Sequence, residues 1–213
     1  LVIFDEAHSL EDVAASQLGF NLGYKEITDI INLFYNDKRR GLAGFLEDEC
    51  MRQEWITSVK QIIPGIGSFF EGMRMHVASD KQYIRIREPV QSGSSLVELL
   101  KQFMILIADA EKIFDDENPN RIEFDIARGK IFTYLESLSS FVFQSNENYV
   151  YWIERESDAL LGDLFLRGQP VDIADIFQRE VATCYDSTVL VSATLAIDGD
   201  FTYTAGRLGM DRY

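Results

Sequence analysis

Two short polar clusters in this sequence each follow an apolar run. Asp5 and Glu6 come directly after Leu1-Val2-Ile3-Phe4, and Ser192 and Thr194 come at the end of Thr188-Val189-Leu190-Val191. A short apolar run that stops abruptly at acids suits a buried parallel strand, and α/β proteins place ligand-binding side chains at the carboxyl end of such strands. An aspartate there can hold Mg²⁺ together with its nucleotide, and an adjacent carboxylate can orient or deprotonate an attacking water. Asp5 followed by Glu6 supplies both groups. His8 stands just beyond the two acids, which favours a coupling role over that of an isolated structural histidine. The hydroxyls of Ser192 and Thr194 can donate to or accept from an imidazole or a carboxylate. Each cluster also has a blander reading: an acidic helix start for the first, a Ser/Thr turn or cap for the second.

The surrounding pattern must position these tips. Ser9 or Asp12 can cap a helix after the first cluster. The middle of the chain reads as helical. Ile27, Ile30, Ile31 and Phe34 recur at helical spacing, as do Trp55, Ile56, Val59, Ile62 and Ile63, until Pro64-Gly65 kinks or ends that helix. Leu96, Leu99, Leu100, Phe103, Ile107 and Ala110 form the clearest stripe, and Asn118-Pro119-Asn120 ends that segment. A further helix is expected from about Ile126 to Phe143, with Ala127, Ile131, Leu135, Leu138 and Val142 on one face. These stripes read as packing surface. Strands are expected at Tyr83–Arg87, at Tyr149–Ile153 with Leu161–Leu166 as its partner, and at Thr188–Val191. Pro170 precedes a short helix with Asp172 near its start.

The chain has 213 residues, 46% of them hydrophobic and 26% charged, an ordinary globular balance. No apolar run approaches the roughly 20 residues a membrane span needs. The opening residues lack a basic region and do not read as a signal peptide. Leu1 is not a start methionine, so the chain is expected to belong to something longer. Cys50 and Cys184 stand alone and read as buried or half-buried thiols, a usage that suits a reducing cytoplasm. The net charge of −15 argues against a generally basic nucleic-acid coat but leaves room for a local basic groove. The candidates for that groove are Lys38, Arg39 and Arg40, and a second group with Arg85 and Arg87.

VIFDEAHSLED (2–12) and TVLVSATL (188–195) together resemble motifs II and III of superfamily 2 helicases. The long stretch between them resembles the arch insertion of the XPD/DinG branch. YVYWIERES (149–157), GQPVDIADIF (168–177) and GRLGM (206–210) are similar to that branch as well. The resemblance implies an ATP-dependent DNA helicase that moves 5′ to 3′ on single-stranded DNA. Asp5 would hold the Mg²⁺ of ATP and Glu6 would position the hydrolytic water. His8 would meet Ser192 and Thr194, which would couple hydrolysis to domain movement, and the arch would guide the strand. The implied organisation is a motor domain 1 segment with the DEAH box at 1–18 and a mainly helical arch at 19–170. A motor domain 1 segment with the SAT motif follows at 171–198, and the start of motor domain 2 at 199–213.

The sequence also departs from that family. It contains no G-x-x-x-x-G-K-[ST] phosphate loop, so that region and motor domain 2 would have to come from elsewhere in the same protein. No cysteine cluster for iron–sulfur is present in these residues, because two scattered cysteines cannot build one. The 213 residues by themselves are therefore expected to be inactive. The expected fold is α+β and predominantly helical, an arch with a few strands rooted on a partial parallel α/β remnant. Two other readings remain. One is a helical protein-interaction domain with accidental DEAH and SAT motifs, which predicts no parallel pairing between Val2–Phe4 and Val189–Val191. The other is a metallohydrolase using Asp5, Glu6 and His8, which is short of histidine and cysteine ligands.

Overall fold

The computed structural model describes residues 1–38, 40–77, 82–155, 164–196 and 199–210. The fold is predominantly helical α+β with two small sheets. The chain forms two compact units. One comprises Leu1–Phe20, Glu147–Val150 and Gln169–Tyr213; the other comprises Asn21–Asn146 and Tyr151–Gly168.

In the first unit, strand β1 (Val2–Phe4) leads through a single 3₁₀ turn, Ala7–Ser9, into helix α1 (Leu10–Leu18). Helix α6 (Ala174–Glu180), strand β6 (Thr188–Leu190) and helix α7 (Thr202–Arg207) complete it. β1 and β6 pair in parallel, with Val2 opposite Thr188, Ile3 opposite Val189 and Phe4 opposite Leu190. Phe4 and Leu190 pack on Ile173, Phe177 and Leu208, and the Phe4 and Phe177 rings lie 5.9 Å apart. The accidental-motif reading required these strands to be apart, and their pairing removes its central expectation.

Asp172 sits where the start of α6 needs an acid: its Oδ1 accepts the Ala174 N–H at 2.8 Å. Gly209 has φ +66°, and a Cβ there would lie 2.4 Å from the Ala174 carbonyl oxygen, so this approach of backbone to backbone requires glycine.

The second unit is built from helices α2 (Tyr24–Phe34), α3 (Glu49–Arg74), α4 (Ser94–Asp109) and α5 (Arg121–Phe143). Strands β2 (Phe20–Gly23), β3 (Tyr83–Ile86), β4 (Tyr149–Arg155) and β5 (Leu164–Pro170) form a sheet in the order β2-β5-β4-β3, with β3 and β4 antiparallel. Its helical core is aromatic. Phe34 lies 5.3 Å from Trp55 and 5.2 Å from Phe103, and Phe114 stacks on Phe124 at 4.4 Å. Trp55 is wholly buried, and its indole N–H donates to the Leu106 carbonyl at 3.3 Å, so its one polar atom is satisfied.

Several expectations need correction. α3 does not stop at Pro64 but runs 26 residues through it. Ile62 and Ile66, on either side of the proline, are both fully buried, and this packing outweighs the lost backbone bond. Gly65 faces α4, where an added Cβ would lie 3.4 Å from Leu96 Cδ1, an ordinary contact distance. α5 begins at Arg121, five residues before the apolar stripe announces it. Its first turn points Ile122 into solvent, and the Arg121 Nε donates to Asp125 at 2.7 Å. β4 continues to Arg155. The strand placed at Leu161–Leu166 is found at Leu164–Pro170, and residues 161–163 lie outside the described set. Cys50 and Cys184 are both free and exposed rather than buried.

Candidate functional site

The two sequence clusters meet in the first unit. β1 ends at Phe4, and the Asp5 Oδ1 accepts the Glu6 N–H at 2.9 Å. Glu6 adopts a left-handed conformation (φ 51°, ψ 41°), which costs a non-glycine residue about 1–2 kcal/mol. The local return is visible: the Ser9 N–H and Ser9 hydroxyl both donate to the Glu6 carbonyl at 3.0 Å. The chain therefore turns sharply at the strand tip and places both carboxylates, exposed, at the end of a parallel strand.

Backbone bonds continue past the strands and join the tips. Val191 N–H donates to the Phe4 carbonyl at 2.9 Å, and Ala7 N–H donates to the Val191 carbonyl at 3.1 Å. Ala7 is buried, which leaves His8 projecting beside Ser192. The His8 Nδ1 lies 2.8 Å from the Ser192 Oγ and 3.2 Å from the Glu6 Oε2. One ring nitrogen thus faces two oxygens. If Nδ1 is protonated it donates to the Glu6 carboxylate or to Ser192; if it is bare it accepts from the Ser192 hydroxyl.

Thr194 is exposed and lines a cavity of about 160 Å³ with Ala7, His8, Glu11, Tyr203, Thr204, Arg207 and Leu208. Its wall holds an ion pair that no local sequence signal announces. Arg207 Nη2 donates to Glu11 Oε1, although the two residues are 196 positions apart. That hydrogen bond raises the Arg207 pKa and holds the guanidinium charged. The Thr204 hydroxyl donates to the Leu195 carbonyl at 2.8 Å, tying α7 to the end of the SAT segment.

Among the described residues no group of three or more His, Cys, Asp or Glu side chains converges as a metal site. A single exposed Asp5 carboxylate fits a Mg²⁺ ion carried mainly by nucleotide phosphates, which takes only one or two protein carboxylates. No helix among the described residues is long and apolar enough to cross a membrane.

The basic candidates lie in the second unit. Lys38 and Arg40 are exposed in the loop after α2, and Arg39 lies outside the described residues. Arg85 is exposed on the edge strand β3, opposite Trp152, and Arg87 is exposed just after it. Two cavities, of about 590 and 370 Å³, share Tyr35 and Asp37 as lining residues. The Tyr35 hydroxyl donates to the Asp37 Oδ1 at 2.8 Å, and the Lys60 Nζ lies 5.7 Å from the Tyr35 ring centre. Tyr35 and Lys60 were not among the sequence candidates.

No family model matches the chain. It is similar to the 3'-5' exonuclease DinG of Bacillus subtilis, with 19% identity over 243 residues, covering 99% of this chain and 26% of that protein. It is also similar to the ATP-dependent DNA helicase YoaA of Haemophilus influenzae, with 23% identity, covering 99% of this chain and 31% of the relative. The YoaA helicase of Escherichia coli K12 is 22% identical over 218 residues, 100% of this chain and 31% of its own length. The chain thus spans between 26% and 31% of the curated relatives it matches. All three similarities are low in identity and reach 99–100% of this chain; two of these relatives are named as ATP-dependent DNA helicases and one as a 3'-5' exonuclease.

Proposed function

We propose that this chain is part of an ATP-dependent 5′–3′ DNA helicase of the DinG/XPD type. It contributes the acidic motif for Mg²⁺-ATP, the coupling motif and an arch-like insertion that guides single-stranded DNA. The observation that carries this reading is the His8–Ser192 contact at 2.8 Å, made across parallel strands β1 and β6. The two motifs mean little separately; joined at the carboxyl ends of neighbouring parallel strands they form one side of a ligand crevice.

Asp5 holds Mg²⁺ and Glu6 positions the attacking water. ATP supplies the phosphoanhydride whose cleavage drives movement, and the phosphate loop comes from another part of the same protein. His8, Ser192 and Thr194 report the state of the acidic tip to β6 and the segment beyond it. The intended boundaries are residues 1–18 and 171–198 for motor domain 1, 19–170 for the arch, and 199–213 for the entry into motor domain 2. Lys38, Arg39, Arg40, Arg85 and Arg87 are the proposed strand contacts.

The test is ATP hydrolysis by the natural full-length protein with and without single-stranded DNA, followed by unwinding of substrates with a 5′ or a 3′ tail. DNA-stimulated hydrolysis and unwinding from a 5′ tail are expected. A full-length protein that neither binds nor hydrolyses ATP would overturn the reading. The 213 residues alone should be inactive, lacking the phosphate cradle.

A further inference from the structure

We propose that the place where the two Tyr35 cavities adjoin is a subsite for single-stranded nucleic acid, with a base stacked on Tyr35 and the flanking phosphates held by Lys60, Arg40 and Lys38. The proposal rests on the nucleic-acid reading above and assigns it a place in the second unit. Tyr35 follows α2 directly, is half-buried, and lines both cavities, so its ring forms part of each wall. Lys38, Lys60 and Pro64 line the larger cavity, and Arg40 lines the smaller. A planar wall with Lys38 and Lys60 on one side and Arg40 on the other matches the alternation of base and phosphate along a single strand, with Asp37 of both walls and Glu49 of the smaller one as the opposing carboxylates.

The side chains divide into those committed elsewhere and those able to move. Arg52 is committed: its Nε donates to the Leu46 carbonyl at 3.0 Å and it pairs with Glu49 at 3.1 Å. Lys60 is held only loosely: its contact with Asp37 is 3.7 Å long with both side chains largely exposed, and its ammonium over the Tyr35 ring must swing aside for a base to stack there. Such a pair exchanges readily for a phosphate. Asp37 then keeps its second task, accepting the Tyr35 hydroxyl at 2.8 Å and fixing the ring. That bond also raises the Tyr35 pKa above its ordinary value.

Arg40 has φ 58°, a left-handed conformation uncommon outside glycine, directly at the cavity rim. An acidic peptide would use the cations but leaves the ring without a purpose. Paired bases in a duplex have no free face to stack.

The test uses the natural full-length protein and a fluorescent oligothymidylate, with affinity read by anisotropy over a salt series. Tyr35→Ala should weaken binding about tenfold, while Tyr35→Phe, which keeps the ring, should bind like the parent. Lys60→Glu and Arg40→Glu should each weaken binding and flatten the salt dependence by about 0.7 per lost phosphate contact. A bromodeoxyuridine oligonucleotide should photo-cross-link within residues 35–64. Polyglutamate, charged but without bases, should show no dependence on Tyr35. Unchanged oligothymidylate affinity in Tyr35→Ala and Lys60→Glu, a cross-link only outside 35–64, or polyglutamate binding that needs Tyr35 would each overturn the subsite. ATP hydrolysis with and without DNA, measured in parallel, separates the two failures. If DNA-stimulated hydrolysis persists while the variants bind normally, only the subsite is wrong; if the parent hydrolyses no ATP under either condition, the motor reading is wrong.

Discussion

His8 Nδ1 and Ser192 Oγ lie 2.8 Å apart although 184 positions separate them in the chain. The contact is rigidly framed. Ala7 N–H bonds the Val191 carbonyl and Val191 N–H bonds the Phe4 carbonyl, so the backbones on both sides are fixed before the side chains meet. A hydrogen bond held this way is suited to transmit a displacement from one strand tip to the other.

That contact predicts non-additivity. In the full-length protein, Ser192→Ala and His8→Ala should each reduce DNA-stimulated ATP hydrolysis by roughly five- to tenfold, the value of about 1 kcal/mol for one hydrogen bond. The double variant should be little worse than either single one. Additive losses, measured in steady-state ATPase assays, would show that the two side chains act separately.

Glu6→Gln preserves shape and removes the carboxylate proposed to position the attacking water. Hydrolysis should fall by about 10²–10⁴-fold while nucleotide binding persists. Asp5→Ala should instead lose the Mg²⁺-dependent part of nucleotide binding, read by titration with a fluorescent ATP analogue with and without Mg²⁺.

Trp55 is the largest fully buried side chain and touches Phe34, Phe103 and Phe114. Trp55→Ala should cost about 3–5 kcal/mol, lowering the urea midpoint of the second unit in chemical denaturation. An unchanged midpoint would mean the aromatic cluster does not support that unit.

Asp200 carries a pH prediction. Its Oδ1 accepts from the Thr202 hydroxyl at 2.6 Å and the Thr202 N–H at 2.9 Å, and these bonds hold its pKa below the ordinary 3.8. The folded value is depressed, so the contribution is present above pH 3.8 and is lost as pH falls through the folded pKa. The protection of the Thr202 amide, its exchange rate relative to the intrinsic rate at each pH, should fall across that acid range. In Asp200→Asn this step should vanish.

Much of the helical framework was legible because burial leaves a periodic trace. Ile27, Ile30, Ile31 and Phe34 are all buried on one face of α2, as their spacing required. The same logic failed where packing overrode a local rule. Pro64 reads as a kink or an end, yet the buried residues on both sides of it carry α3 onward, which removes the second alternative. Cys50 and Cys184 read as buried by residue type, yet both lie exposed.

The sequence by itself determined the composition of the two tips: a short apolar strand ending in Asp5 and Glu6, and another ending in Ser192 and Thr194. A strand and its terminal residues are set by local chemistry, so they can be read locally. Only the tertiary structure decided that the tips adjoin, that Nδ1 of His8 is shared between Glu6 and Ser192, and that Arg207 closes on Glu11. It also brought Tyr35 and Lys60 to one wall. Those pairings depend on which buried faces pack together, and apolar faces carry no label that names their partner. The unbroken apolar runs read as buried strands, yet Leu1, Ile3, Val189 and Val191 are exposed, and the cover that Phe4 and Leu190 find on Phe177 and Leu208 emerges only when the chain is folded.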